Sequence, residues 1–241
     1  MMPPRFSFRC HAMYKLLVPA VLAAFLAGCS DAPRSSLDGD AQRIGYAVGY
    51  QLGTSLGSDA ASLDAEAVAA GMEDALAGRS PRLDEAARDA ALARYGEQRR
   101  ATRAARAEAN RQAGAAYLEK RRAQAGVKAL PSGVQYRVVE AGRGRPPKRG
   151  DTVVAHYRGT LLDGTEFDSS YARGRPETFK VASVIPGWQE VLLRMRPGAR
   201  WEVAIPPAAA YGARGIPGVI GPQQTLLFEI HLLEVRPAGG S

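Results

Sequence analysis

The sequence predicts an α+β protein: a C-terminal antiparallel, curled β-sheet packed on a short helix, preceded by an all-α N-terminal domain with a long connecting helix. Three observations carry this reading. Ile44, Val48, Leu52 and Leu56 recur every four residues, the period of an amphipathic helix. A proline-free stretch rich in Ala, Arg, Glu and Gln runs from about Leu83 to Ala125. Beyond it, segments with β-type alternation are separated by Gly, Pro and Asp turns. The 241 residues, 46% hydrophobic and 23% charged, allow a proper core and more than one domain.

Arg5, Arg9 and Lys15 precede the apolar run Leu16 to Gly28, which is too short to span a bilayer as a mature helix and has the length of an export-signal core. "LAGC", Leu26 to Cys29, resembles the lipobox of bacterial lipoproteins, making Cys29 the expected lipidation site and residues 1–29 a lipoprotein signal peptide. Met13 opens a complete signal of its own and is an alternative start. Ser30 rather than Asp after the cysteine favours the outer membrane, a soluble periplasmic protein being the alternative. Residues 30–42, polar and proline-containing, read as a flexible tether.

The first helix should end at Gly57, and Leu63, Val68, Met72 and Leu76 predict a second, short one. Two such helices cannot bury their apolar faces alone, which points to a homodimer through residues 43–126. The stretch from Leu83 to Ala125 reads as one helix of roughly 40 residues, about 60 Å long, serving as a stalk. Its large apolar residues, Leu92, Tyr95, Tyr117 and Leu118, are too sparse for a heptad seam. The net charge of +8 includes three positive residues in the signal, and Arg82 to Ala125 holds eleven Lys/Arg against six Asp/Glu. A solvated helical face explains that stripe, with attraction to an anionic envelope surface as the alternative; in an exported lipoprotein no nucleic-acid partner is expected.

A domain boundary is expected near residue 127, with the sheet domain covering 127–237. Its strands are "VQYRVVEAG", "DTVVAHYRGTLL", "TEFDSS", "ETFKV", "ARWEVAIP" and "TLLFEIHLLEV". Asp163-Gly164 reads as a two-residue hairpin turn. "PGWQEVLLRM" is the short helix, with Pro186 near its start and Pro197-Gly198 past its end. The two cysteines are Cys10 and Cys29, so this domain has no thiol nucleophile, disulfide or thiolate metal site. His156 and His231 lack a metal-ligand spacing, and neither a metal nor a cofactor is expected. No Ser-His-Asp arrangement, paired-carboxylate motif or phosphate-cradling loop is present either. What stands out is a density of aromatic and branched residues beside Gly/Pro loops, which serve either as core or as pocket lining. "GTEFDSS" likewise reads as a turn, through Asp168 and its serines, or as a polar fixture beside an apolar wall.

"HYRGTLLDGTEFDSS", "VIPGWQEVLLRMRPGARWEVAIPP", "AYGARGIPGVIGP" and "TLLFEIHLLEV", in this order, resemble the FKBP-type peptidyl-prolyl cis-trans isomerases over about residues 127 to 236. The helical N-terminal part, with "GYQLG" and "GMEDAL", resembles the macrophage-infectivity-potentiator-like branch, whose members are dimeric envelope proteins. The resemblance implies a pocket at Tyr157, Phe167, Asp168, Val184, Ile185, Trp188, Tyr211, Ile220 and Phe228, with Phe179, Ile216 and Val219 as further substrate contacts. It implies Trp188 under the proline ring, the Ile185 N–H and the Tyr211 hydroxyl on substrate carbonyls, proline-containing polypeptides as substrates and the family's macrolides as inhibitors. Glu177 stands where a second pocket aromatic is common, and Ile216 where some members have histidine. Such chemistry suits a chain without nucleophile or metal, because rotating an Xaa-Pro amide over its barrier of roughly 18–20 kcal/mol makes and breaks no covalent bond. Two other readings fit the same chain: a holdase chaperone using the helical dimer cleft, and a basic structural lipoprotein.

Overall fold

The computed structural model describes residues 36–57 and 62–238; the expected signal, the lipidation site Cys29 and residues 30–35 of the tether lie outside them. The chain divides into two units, residues 1–46 and 47–241. Helix α1, Asp40–Leu56, starts in the first unit and ends in the second, at Gly57 with φ of +57°. None of its residues is buried, and Ile44, Tyr46, Val48, Tyr50 and Leu52 are each at least half exposed. Helix α2, Ala65–Leu76, is capped by Asp64, whose carboxylate accepts the Ala67 N–H at 2.8 Å. On α2, Asp74 is buried between Arg79 and Arg82, at 2.7 Å from each.

Helix α3, Glu85–Arg122, is 38 residues long, or about 57 Å. Asp84 caps it by accepting the Ala87 N–H at 2.7 Å, and Lys120, Arg121 and Arg122 close it where the helix dipole favours positive charge. Expected as a stalk, it is over its second half also a buttress of the sheet domain. Arg103 donates to the carbonyls of Ala213 and Arg214 at 2.9 and 2.8 Å, and Asn110 to that of Pro222 at 2.7 Å. The Gln135 amide donates to the Leu118 carbonyl at 2.8 Å, and the buried Arg121 reaches the Glu202 carbonyl. Gly114 makes the close approach feasible, since a Cβ there would run into the Thr225 hydroxyl.

Seven antiparallel strands follow: β1 Val127–Ala129, β2 Gln135–Glu140, β3 Thr152–Thr160, β4 Glu166–Ser169, β5 Glu177–Lys180, β6 Arg200–Ile205 and β7 Leu226–Arg236. They lie in the order β1-β2-β6-β7-β3-β4, and β5 pairs with the first half of β3. Strand β3 is thus hydrogen-bonded to β7 along one edge and to β5 and then β4 along the other. The β3–β4 turn has three residues, Leu162, Asp163 and Gly164, rather than the expected two: the Leu161 N–H reaches the Thr165 carbonyl, and Gly164 takes φ of +88°. One sheet face carries Val153, Tyr157, Trp201, Val203, Ile205, Phe228, Ile230 and Leu232, and α4, Pro186–Leu192, packs on it through Trp188, Val191 and Leu192. Pro186 sits in the first turn of α4, where its missing N–H costs nothing.

Candidate active site

The period-two alternation of β3 sends Tyr157 and Gly159 to the face that α4 covers. Register sets Gly159 opposite Phe228 on one side and Asp168 on the other. Because residue 159 has no side chain, the rings of Phe167 and Phe228 meet above it at 5.5 Å, nearly perpendicular; a Cβ there would come within 2.6 Å of Phe167. Trp188, on the first turn of α4, is the hub. Tyr157, Phe179 and Phe228 stand around it edge-on at 5.3, 5.5 and 5.4 Å. Such edge contacts add about 0.5–1.5 kcal/mol each beyond burial. Trp188, Tyr157 and Phe228 are buried, Phe167 and Phe179 partly so, which makes a fixed apolar floor with a more open margin.

The polar side of this cluster is equally well tied. The Tyr157 hydroxyl donates to Asp168 Oδ2 at 2.6 Å, Arg173 Nη1 donates to Asp168 Oδ1 at 2.6 Å, and Arg173 Nη2 donates to the Tyr157 hydroxyl at 2.7 Å. Arg173 Nε takes Glu177 at 3.0 Å, and its guanidinium lies 5.6 Å from the Tyr157 ring centre. Burial, joined by the hydrogen bond to Asp168, pushes the Tyr157 hydroxyl up to about 12. Burial alone would raise the Asp168 carboxyl, but the bonds from Tyr157 and Arg173 prevail and hold it below the usual carboxylate range. Asp168 is therefore a fixed anion whose two oxygens are both occupied. Of the serines after it, Ser169 performs the turn chemistry, its Oγ accepting the Ala172 N–H at 3.3 Å, whereas Ser170 Oγ reaches across to β3 and accepts the Tyr157 N–H at 2.8 Å.

Val184 and Ile185 form the entry to α4, where the Val184 carbonyl is held by the Gln189 amide at 2.7 Å and the Ile185 carbonyl accepts the Trp188 N–H at 3.0 Å. Among the described residues none accepts the Ile185 N–H. Tyr211 is 36% exposed, and its hydroxyl is pushed up by burial and by the nearby negative charge of Asp168. Ile220 is buried in the same core cluster as Trp188, and its backbone makes two bonds of 2.8 Å with Ile216. Ile216 is half-buried against that core and Val219 is 49% exposed. Both line the far side of the loop, facing α3.

Sequence reasoning passed over Arg173 and Gly159, and expected a turn former of Ser170, which instead holds the Tyr157 backbone. The available signal was spacing: a cation five residues beyond Asp168, at the end of one bend, is placed to return to it. Glu177, where an aromatic is common, has an occupation of its own as the second partner of Arg173. Among the described residues no group of His, Cys, Asp and Glu could hold a metal ion.

Residues 143–233 match the FKBP-type peptidyl-prolyl cis-trans isomerase family, and residues 41–138 match the domain amino terminal to FKBP-type peptidyl-prolyl isomerase. The chain is 38% identical over 229 residues to the outer membrane protein MIP of Legionella longbeachae, covering 93% of this chain and 98% of the relative. It is 36% identical over 228 residues to the peptidyl-prolyl cis-trans isomerase Mip of Coxiella burnetii, covering 93% and 99%. The crystal structure of FkpA from Escherichia coli superposes with a TM-score of 0.64 at 41% identity, over 84% of this chain and all of that one. Two family matches in chain order and full-length relatives at this identity agree with the sheet, the helix and the aromatic cluster described above: the chain belongs to the FKBP-type peptidyl-prolyl cis-trans isomerases.

Proposed function

We propose that the chain's isomerase activity is carried by the cluster around Trp188. The proline ring of an Xaa-Pro segment lies on the Trp188 floor between Tyr157, Phe179 and Phe228. The Ile185 N–H and the Tyr211 hydroxyl take substrate carbonyls. An apolar wall disfavours the charge-separated planar amide and favours the twisted one, so binding that is tighter at the twisted geometry lowers the barrier without a proton transfer. Val184 and Phe167 wall the site, Ile220 supports it, and Asp168 keeps Tyr157 in place. Ile216 and Val219 contact the chain beyond the proline, and the family's macrolides occupy the same floor.

The single observation behind this reading is the edge-on ring of three aromatics about Trp188. A protease-coupled assay on an Xaa-Pro peptide tests it. Trp188→Ala should lower kcat/KM by about tenfold or more, and a variant with unchanged kcat/KM would overturn the assignment. The names of the relatives favour isomerisation over the holdase alternative, which is set aside.

Location and assembly belong to the same proposal. A relative named as an outer membrane protein and the "LAGC" string support a lipid anchor at Cys29 and an envelope location. Among the described residues no helix is long and apolar enough to cross a membrane. The exposed apolar residues of α1 support a homodimer through the helical region 43–126, with residues 127–237 as the catalytic domain. Metabolic labelling with a radioactive fatty acid, retained by the full chain and lost in Cys29→Ser, tests the anchor.

A further inference from the structure

The margin of the aromatic cluster carries more negative charge than its one bound cation offsets. The Arg173 guanidinium sits between two carboxylates, 2.6 Å from Asp168 Oδ1 and 3.0 Å from Glu177 Oε1. Asp168 has both oxygens occupied, by Tyr157 and Arg173. Glu177 has only one: its Oε1 accepts from Arg173 Nε, and its Oε2 accepts no bond from any described residue. With its side chain 30% exposed, that second oxygen is open to a ligand. Lys180 on β5 and Arg158 on β3 alternate to the opposite sheet face, and Arg158 is bound to Glu166. Arg175, in the bend before β5, is exposed and joined to no carboxylate, so its charge is screened by solvent while the three bonded groups are fixed. The Tyr211 hydroxyl feels the same sign of charge, being pushed up in part by Asp168.

Register gives this surplus charge a target. Glu177 and Phe179 are two residues apart on β5, so their side chains share the face on which Phe179 stands against Trp188 and Tyr157. At about 3.3 Å per residue the two positions are about 6.6 Å apart, within reach of a long side chain on a residue next to the bound proline. We propose that Glu177 is a specificity-determining residue, which selects Xaa-Pro segments with Lys or Arg adjacent to the proline and disfavours those with Asp or Glu there. The proposal rests on the placement of the isomerase site at Trp188, and adds a charge preference that the aromatic cluster cannot supply. The cationic head settles on Glu177 Oε2 while its alkyl stem lies along Phe179. An acidic neighbour instead meets two carboxylates that share a single guanidinium, so attraction and repulsion both contribute to the choice.

The test uses the full mature chain and magnetisation exchange on short peptides, so that no coupling protease imposes a preference of its own. One set places Lys, Gln or Glu immediately before the proline, and a second set places them immediately after it. At low ionic strength kcat/KM for the Lys peptide should exceed that for the Glu peptide by about three- to tenfold in at least one set, with Gln between them and the difference chiefly in KM. The ratio should approach one in roughly 0.5 M salt. In Glu177→Gln, which keeps an oxygen for Arg173 Nε, the Lys-to-Glu ratio should fall to about one even at low salt, and measurable turnover of the Gln peptide shows that the variant is folded. A wild-type ratio near one in both sets overturns the proposal. So does a Glu177→Gln variant that slows all peptides equally and keeps the ratio, since Glu177 would then act only by holding Arg173. Trp188→Ala, measured beside it, separates this proposal from the reading it rests on. If that variant turns over the Gln peptide at the wild-type rate, the site itself is misplaced and the role of Glu177 falls with it. If it is slow while the preference survives Glu177→Gln, the site stands and the role of Glu177 alone is overturned.

Discussion

Arg173 binds Asp168, Tyr157 and Glu177 with three different nitrogens, so its removal frees a carboxylate and a phenol at once. We expect Arg173→Met, which keeps most of the aliphatic stem, to lower kcat/KM by about tenfold, mainly through kcat because the apolar floor is untouched. Tyr157→Phe should do less, since Asp168 then retains Arg173. The same triangle sets the pH behaviour. Asp168 is held below the ordinary carboxylate range and stays ionised as pH falls, while Tyr157, at about 12, stays protonated as pH rises. The kcat/KM profile should therefore be level from about pH 5 to 9, and a bell centred near neutrality would mean a proton is being moved. The aromatic positions were legible because each stands in a short string whose order is distinctive. Arg173 was not, because an arginine in the exposed string "YARGR" carries no periodicity, and only the folded bend brings it back to Asp168.

At the level of elements, the alternation of β3 translated directly into a strand because burial on one face imposes the period, and the four-residue spacing of α1 translated into a helix whose apolar residues are exposed. The β3–β4 turn illustrates a limit. "DG" is equally at home in a two-residue and a three-residue loop, and the choice was made by the bulge between Gly159 and Thr160. Helix α3 illustrates another. Its composition reads as solvated, yet Gly114 and Arg121 are buried, since docking there uses a missing side chain and polar groups rather than an apolar stripe. Gly114→Leu should raise the helix propensity of α3 and still destabilise the protein, because the new side chain collides with Thr225. Thermal unfolding should shift down by about 3–6 °C, and amide exchange should quicken in the loop that Arg103 and Asn110 hold. A rise in melting temperature would mean that the contact is dispensable.

For the whole molecule, the last described residue, Ala238, is fastened beside the sheet by one carboxylate. Asp151, just before β3, accepts the N–H groups of Lys148 at 2.9 Å and Ala238 at 3.0 Å, and Arg145 at 2.9 Å. Those backbone bonds and Arg145, acting against burial, lower its pKa to about 2. A depressed carboxylate stabilises the fold above its ordinary value near 4 and loses that contribution as pH falls toward about 2. Asp151→Asn should therefore melt below the wild type at pH 7, with the gap closing in acid; a gap that persists below about pH 2 would contradict the linkage. Assembly is tested separately: Val48→Asp with Leu52→Asp should halve the mass measured by light scattering while leaving turnover of a short Xaa-Pro peptide unchanged.

The two tryptophans of the chain have contrasting surroundings. Trp201 lies flat on Tyr136 at 4.3 Å, well inside the sheet, whereas Trp188 stands at the centre of three rings beside a partly open margin. Emission from Trp188 should then respond to whatever settles on its face, while emission from Trp201 stays constant. With Trp201→Phe the protein would carry its own optical gauge of occupancy, able to time the arrival and departure of a peptide or a macrolide without any label.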